Sequence, residues 1–525
     1  MTARTVADPA APLLSEAEDQ ARSDRVGSFA AWVERLAPSL LFAAMALYVV
    51  VFFAASFYKY EHFGQGYDQV DFEQAIWNTV QGHPFEDSRF NFTDSIFGLD
   101  WMPLLAVFVP FYALLPSPHT LFFLQILAAA VGAWPVYLLA RDRLGSARAG
   151  LVFGLAWLLY PTVEHSVLDP FQIRIFATVL LLFALLYFER RQLWPFLLCC
   201  GLAMLARTDV ALVVIMFGVY ALVARRGWGW VAAPLILGLG YFLPVMTLVL
   251  PAFVHLPAVN CVGPIPADQI DHVWPGSSNP NLGYYLQWGC TPGMIAVNLV
   301  KDPLYTLGYM LGDLHKWIYL ADMLAPLAFL SLLAPARLLL ALPILGLNLI
   351  AWRPAQTEYN NHYQLLITVG VVYAAVAGFA VGLRRFPRRR DILLGTLLLV
   401  AVVVNLLLHN PVSSAFRFPE SPARIAAARE LIAQVPPGAH VAASSRVAPH
   451  LLPRRYIYNF PPAPYSPYTM SDFGPLDYIL VDTNAQENNS NLLPDGRTAL
   501  QALAGSPEWK LQQDEQHYRL YVRTH

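Results

Sequence analysis

Residues 38–58, PSLLFAAMALYVVVFFAASFY, carry no charged side chain. At 1.5 Å of rise per residue such a run spans the roughly 30 Å hydrocarbon core of a bilayer as a helix. Similar stretches recur along the 525 residues, so the chain is 56% hydrophobic, only 13% charged, and has a mean hydropathy of +0.45. A soluble domain cannot bury that much apolar surface, and the sequence reads as an α-helical polytopic membrane protein. A net charge of -2 gives no reason to expect a nucleic-acid partner. Residues 1–37 are polar, of mixed charge and Pro/Ala-rich, with no secretory signal peptide evident; they read as a disordered cytoplasmic tail.

Apolar runs predict crossings at 38–58, 118–140, 149–164, 173–188, 192–206, 208–224, 228–250, 315–334, 336–351, 363–383 and 391–408. Basic clusters fall at Arg141/Arg143/Arg148, at Arg190/Arg191, at Arg225/Arg226, at Arg337 and in RRFPRRR at 384–390. Lys and Arg flanking membrane helices favour the cytoplasmic side. Eleven crossings keep all five clusters on that side, with the amino terminus inside and the carboxyl terminus outside. Residues 59–117, 251–314 and 352–362 then become outer loops. The apolar stretch 102–115 holds two prolines and is too short for a crossing, so it is expected to be interfacial or re-entrant.

The transmembrane part is expected to cover 38–411, and residues 412–525 have the composition of a small α/β domain outside the membrane. Ser421-Pro422 starts a helix, and HVAASS, YIYNF, DYILVD and HYRLYVR alternate as strands. Of the four cysteines, Cys261 and Cys290 lie in the Pro/Gly-rich outer loop, where an oxidising compartment would join them as a disulfide.

Carboxylates gather on the same outer face. In GQGYDQVDFEQAIWNTVQG, residues 64–82, Asp71 with Gln74 forms a capping box for a short amphipathic helix stopped by Gly82, and Asp68 stands in the turn ahead of it. Other outer breaks bring Asp100; Glu164, His165 and Asp169; Arg174; Arg207 and Asp209; and Tyr359, Asn361 and His362. One polar side chain at a helix end is ordinarily just solvated, but ionisable groups bordering apolar helices are expensive, and a group of them at one depth marks a site. Arginines there can hold phosphate oxygens, and a carboxylate can take a proton from a hydroxyl or coordinate a divalent cation.

The acidic first outer loop, followed by PFYALLPSPHTLFFLQILAAAVGAWPVYLLARDRLG at 110–145 and by PHLLPRRYIYNFP at 449–461, resembles a family of predicted bacterial membrane proteins catalogued as a domain of unknown function. That family in turn resembles the GT-C superfamily of polyprenyl-phosphate-sugar-dependent glycosyltransferases. The resemblance implies a GT-C-like fold in the bacterial cytoplasmic membrane, acting in the cell envelope on a polyprenyl-phosphate-linked sugar and an acceptor of unknown identity. It assigns the catalytic carboxylate to Asp68. Asp71, Asp100, Asp169, Arg174, Arg207, Asp209, Tyr359, Asn361 and His362 complete the expected binding wall. This chain departs from its relatives at three places: GLDWMP has Trp101 where they often carry histidine, DPFQIR lacks a His and a Glu, and Arg207-Thr208-Asp209 replaces Lys-Glu-Asp. These losses weaken the case for a metal and leave phosphate binding intact. A non-catalytic lipid-phosphate or glycan binder of the same fold is the main alternative. A transporter fits less well, because the ionisable residues sit at helix ends and no inverted repeat is apparent.

Overall fold

The computed structural model describes residues 11–255, 263–265, 280–416, 420–462, 469, 473–485 and 498–524. Its first helix, α1 (Ala11–Glu61), begins inside the head that composition alone reads as disordered. In chain order follow α2 (Asp68–Val80), α3 (Val109–Leu114), α4 (Pro118–Leu144), α5 (Ala147–Leu158), α6 (Pro161–Leu168) and α7 (Arg174–Glu189). Next come α8 (Leu193–Met204), α9 (Val210–Val223), α10 (Trp228–Pro244) and α11 (Leu250–Phe253), the last two joined by a π turn over Val245–Val249. The bundle is completed by α12 (Pro292–Lys301), α13 (Pro303–Leu311), α14 (Leu314–Leu324), α15 (Leu342–Ile350), α16 (Leu365–Arg385) and α17 (Arg390–Leu407).

At the centre stands α16, in which every residue from Leu365 to Phe379 is buried. A helix apolar on all sides needs neighbours all round, and α4, α7 and the turns over 330–340 supply them. Among the described residues, five stretches are long and apolar enough to cross a membrane: Ala31–Glu61, Pro118–Leu144, Trp228–Phe253, His362–Arg385 and Pro387–Ala415. A sixth arises if α5 and α6, bent by 45°, count as one span. This is a multi-pass membrane protein, but the eleven continuous crossings expected from hydropathy are not found. Helices α7, α8 and α9 have 16, 12 and 14 residues, about 18–24 Å of rise. The stretch expected to cross at 315–334 stops at Leu324. Beyond it Ala328 and Phe329 adopt left-handed φ angles of 52° and 56°, and 3₁₀ turns containing Pro326 and Pro335 continue the chain. Hydropathy registers apolar length and misses these breaks. The bundle tolerates them because buried partners satisfy the backbone, as when Ser331 Oγ donates to Val371 O at 2.9 Å.

The basic clusters meet at one end of the bundle. Arg148 pairs with Glu34 and Asp391, Arg190 with Asp142, and Arg226 with Glu189, while Arg337 lies 5.1 Å from the ring centre of Tyr373, whose hydroxyl donates to Glu189. The acidic breaks lie at the opposite end. There, two short helical turns over 103–107 and 109–114 leave Val107, Phe111, Leu114 and Leu115 exposed, as an interfacial segment would.

Beyond the bundle a five-stranded sheet has the order β2-β1-β3-β5-β4, with β1 (Val441–Ala443), β2 (Ile457–Asn459), β3 (Tyr478–Asp482), β4 (Trp509–Glu515) and β5 (Tyr518–Arg523). β1 pairs parallel with β2 and β3, and β5 pairs antiparallel with β3 and β4. Ser421 caps the helix Pro422–Ala433 as its sequence predicts. The unforeseen strand is β4, WKLQQDE, an edge whose only buried residue is Trp509. With water on both faces it has no apolar alternation to read. Of the expected disulfide, Cys261 lies outside the described residues. Cys290 is buried beside Leu286, and the free thiols among the described residues are Cys199 and Cys200.

Because the basic clusters share one end of the bundle, reporter fusions after Arg226 and after Pro411 are expected to report opposite sides of the membrane, the first cytoplasmic. The same side for both would refute this orientation.

Candidate active site at the acidic end of the bundle

Two ionic groups are built there, and the first lies in the loop after α1. Helix α2 starts one turn earlier than the capping-box pattern predicts, at Asp68, with Tyr67 as its N-cap residue and no side-chain cap. Gly82, at φ +89°, ends it as expected. Asp71 is therefore no cap. It is buried, and both its oxygens accept from Nη1 of Arg89, at 2.7 and 2.6 Å. Asp87 is also buried and accepts from the Arg89 backbone N–H at 2.8 Å. Asp68, by contrast, keeps 57% of its side chain exposed, with Arg89 Nη1 3.9 Å away. Arg89 thus serves three carboxylates, Asp71 and Asp68 through its guanidinium and Asp87 through its backbone N–H. Burial, with Asp71 nearby, pushes the Asp87 carboxyl up to about 8, and burial raises Asp71 to about 6 against the opposing pull of Arg89. On the same helix, Glu73 accepts from Gln69 and from the Tyr112 hydroxyl, and burial raises it to about 7. The three charges in EDSR, residues 86–89, were the sequence signal for Arg89.

The second group forms where α6 meets α7 and α8 meets α9. Asp100 is buried: its Oδ2 accepts from Arg207 at 2.8 Å, and its Oδ1 accepts from the Thr208 hydroxyl and N–H at 2.5 and 3.2 Å and from the Trp101 N–H at 2.8 Å. Arg174 donates to Asp209 at 2.7 Å, and Arg207 Nε lies 3.8 Å from the other oxygen of Asp209. Glutamines hold the neighbouring break in place. Gln125 accepts from the Gln172 N–H and donates to the carbonyls of Val167 and Asp169, Gln69 accepts from the Phe171 N–H, and Lys59 and Gln65 donate to Leu168 O. Broken backbone at the membrane edge needs such donors and acceptors.

This second group closes one end of a cavity of about 300 Å³. Asp100, Arg174, Arg207 and Asp209 stand at that end with Tyr284, Tyr285, Tyr363, Asn281 and Gln356, while Leu212, Phe242, Met246, Ile295, Leu299, Ile344 and Leu347 make its wall apolar. Phe242 and Met246 flank the start of the π turn, which widens the helix there. Asp68 and Asp71 do not line the cavity, but the field of Asp68 reaches Tyr363, Arg353 and Asp169. Asp169, raised to about 6 by burial, sits near Lys59. The His362 ring lies 4.3 Å from the Tyr363 ring, tilted by 42°, within electrostatic reach of Arg174, Arg207 and Arg353. Tyr359 and Asn361 face elsewhere: the Tyr359 hydroxyl donates to Leu408 O, and Asn361 precedes the turn at 362–364. Glu164 accepts from Asn405 at 2.5 Å, and the His165 ring packs edge-on to Tyr359. The tyrosines of the cavity were not foreseen, since GYYLQW carries no charge to mark it.

No group of three or more His, Cys, Asp or Glu side chains among the described residues is placed to hold a metal ion. Arginine stands between the carboxylates in both groups, so this donor set does not fit a divalent cation.

Residues 59–518 match the family described as "Predicted membrane protein (DUF2079)". The chain belongs to that family. No curated protein is detectably similar in sequence. In structure the chain resembles ArnT from Cupriavidus metallidurans bound to undecaprenyl phosphate, with a TM-score of 0.53 and 13% identity, over 94% of this chain and 98% of that one. For the apo state of the same protein the TM-score is 0.52 at 14% identity, with 93% and 98% covered. The oligosaccharyltransferase of Archaeoglobus fulgidus tethered with an acceptor peptide is more distant, with a TM-score of 0.46, 13% identity, and 86% and 70% covered. The fold of this family member is thus that of the ArnT structures.

Asp87 binds a proton in the folded protein that the unfolded chain, with an ordinary value of 3.8, releases. The folded state therefore loses stability as pH rises from about 4 to about 8. Asp87→Asn is expected to raise the thermal midpoint of the detergent-solubilised protein at pH 8 relative to wild type, and to raise it by a smaller amount at pH 5. An equal effect at both pH values would refute the protonated assignment.

Proposed function

We propose that this protein transfers a sugar from a polyprenyl phosphate carrier to an acceptor hydroxyl on the outer face of the cytoplasmic membrane. The observation that carries the proposal is the cavity, ionic and tyrosine-lined at one end and apolar along the rest. That is the chemistry of a lipid phosphate whose head group rests against charge and whose chain lies against hydrocarbon. The structural likeness to a protein that binds undecaprenyl phosphate supports the same assignment.

In this reading Asp68 is the base. Exposed on the first turn of α2, it accepts the acceptor's proton as the hydroxyl oxygen bonds to the anomeric carbon. The bond from that carbon to the phosphate oxygen breaks, and the electron pair leaves with the phosphate. A fixed positive environment favours the charge that develops there. Arg207 and Arg174 face this end, and Asp100 and Asp209 hold them in position. Asp169 and His362 complete the polar surround. Transfer at this site inverts the anomeric configuration, because a single displacement by the acceptor needs no covalent sugar–enzyme intermediate.

A lipid-phosphate binder without catalysis is the second reading. It is favoured by one observation: Asp68 stands in the loop group and not among the residues lining the cavity. Asp68→Asn separates the two. In membranes supplied with a labelled polyprenyl-phosphate sugar, this exposed substitution is expected to lower transfer by about 100-fold while leaving the thermal midpoint unchanged. Asp71→Asn is expected to lower the midpoint as well as the rate, because it removes one side of the buried pair with Arg89. Transfer by Asp68→Asn at the wild-type rate would remove Asp68 from the mechanism.

A further inference from the structure

Charge pairing at the acidic end of the bundle leaves one arginine distinct. Arg174 and Arg207 both face carboxylates, Asp209 and Asp100, at 2.7 and 2.8 Å, so their charge is already compensated. Arg89 lies buried among Asp68, Asp71 and Asp87. Arg353 differs on three counts. It is exposed, it lies on the segment that links α15 to α16, and among the described residues no carboxylate is within ion-pair distance of it. Its guanidinium carbon is 5.9 Å from the ring centre of Tyr284, which lines the ionic end of the cavity. The segment is anchored there: the Trp352 N–H donates to Tyr284 O at 3.1 Å and the Trp352 indole to Gly283 O at 2.8 Å. Four residues on, Gln356 lines the cavity itself. Arg353 is also within the electrostatic reach of Asp68.

We propose that Arg353 is the residue that engages the phosphate of the lipid carrier, standing between the cavity mouth and Asp68. The inference rests on the carrier reading given above and deepens it. An anion arriving at Arg174 or Arg207 competes with a carboxylate already in place, whereas at Arg353 it meets a positive charge that, among the described residues, has no carboxylate within ion-pair distance. A planar guanidinium beside an aromatic ring is preorganised to present two parallel N–H groups to phosphate oxygens. The assignment also brings the leaving phosphate and the base to the same mouth, as a single displacement requires. Arg353 would then hold the departing phosphate while Asp68 takes the proton of the incoming hydroxyl.

The test measures dissociation constants of the detergent-purified full chain for undecaprenyl phosphate and for uncharged undecaprenol. Wild type is expected to prefer the phosphate, and Arg353→Gln is expected to reduce that preference by about tenfold or more, the worth of a charge-assisted hydrogen bond. Arg353→Lys is expected to keep most of it. Thermal midpoints equal to wild type in both variants establish that the loss is not one of folding, as an exposed side chain predicts. Inorganic phosphate is expected not to displace the lipid phosphate at comparable concentration; displacement would overturn the lipid assignment. If wild type prefers undecaprenyl phosphate and Arg353→Gln prefers it equally, the role of Arg353 is refuted and the carrier reading stands. If wild type shows no preference, the carrier reading fails and the role of Arg353 fails with it.

Discussion

Charge at the end of an apolar helix bundle must be compensated, and the ladder Asp100–Arg207–Asp209–Arg174 is where this chain meets that demand. Removing one member of a buried ion pair typically costs several kcal/mol, because the partner is left charged and desolvated. The ladder therefore ties together elements that have little else in common. Asp100 belongs to the loop after α2, Arg174 begins α7, and Arg207 and Asp209 form the break between α8 and α9. Because Asp100 also accepts the Thr208 N–H, it fixes the backbone from which α9 starts. The short helices α7 to α9 can end where they do because their ends are held by side chains and not by solvent.

The same principle fastens the loop after α1 to the sheet. The Tyr67 hydroxyl donates to Ala443 O at the end of β1 and accepts the Phe460 N–H at 2.7 Å just past β2. Ser88 donates to Ile457 O and accepts its N–H, at 2.9 and 3.0 Å, like a neighbouring strand. Glu86 pairs with Arg455 at 3.0 Å, and Glu61, at the end of α1, pairs with Arg429. Phe63 and Val70 enter the apolar core of the sheet domain. Asp68 lies between Phe63 and Val70 in sequence, so its position depends on the sheet as much as on the bundle. The base role proposed for Asp68 would gain from this, since a small displacement of a reacting group costs much of its rate advantage.

Legibility in the sequence followed the range of the interactions. Helices α4, α16 and α17, four of the five strands and the Ser421 cap were readable because period and end signals are local. The breaks in 325–340 were not, since left-handed Ala328 and Phe329 are imposed by packing on α16. In the site, Asp100, Arg174, Arg207 and Asp209 were legible as charges bordering apolar runs, and they do converge on one cavity. Asp71 was misread because a capping box and a buried ion pair can share one sequence pattern, and only Arg89, 18 residues away, distinguishes them. Tyr284, Tyr285 and Tyr363 carry no charge, and nothing in an aromatic-rich chain marks three tyrosines out of 25 as neighbours.

The two ionic groups differ in sign, and that difference gives the site a direction. Around Arg89 stand three carboxylates, two at its guanidinium and one at its backbone N–H, so the loop group is acidic even with Asp87 protonated. At the cavity, two arginines balance two aspartates, and Arg353 adds a positive charge beside Tyr284. An incoming hydroxyl that must lose a proton is favoured on the acidic side, and a departing phosphate that gains negative charge is favoured on the basic side. Asp68 belongs to the acidic group by sequence and to the cavity by field, because Tyr363 and Arg353 both feel its charge. In the proposed transfer, that dual position sets the base apart from the residues that line the cavity while keeping it within their field.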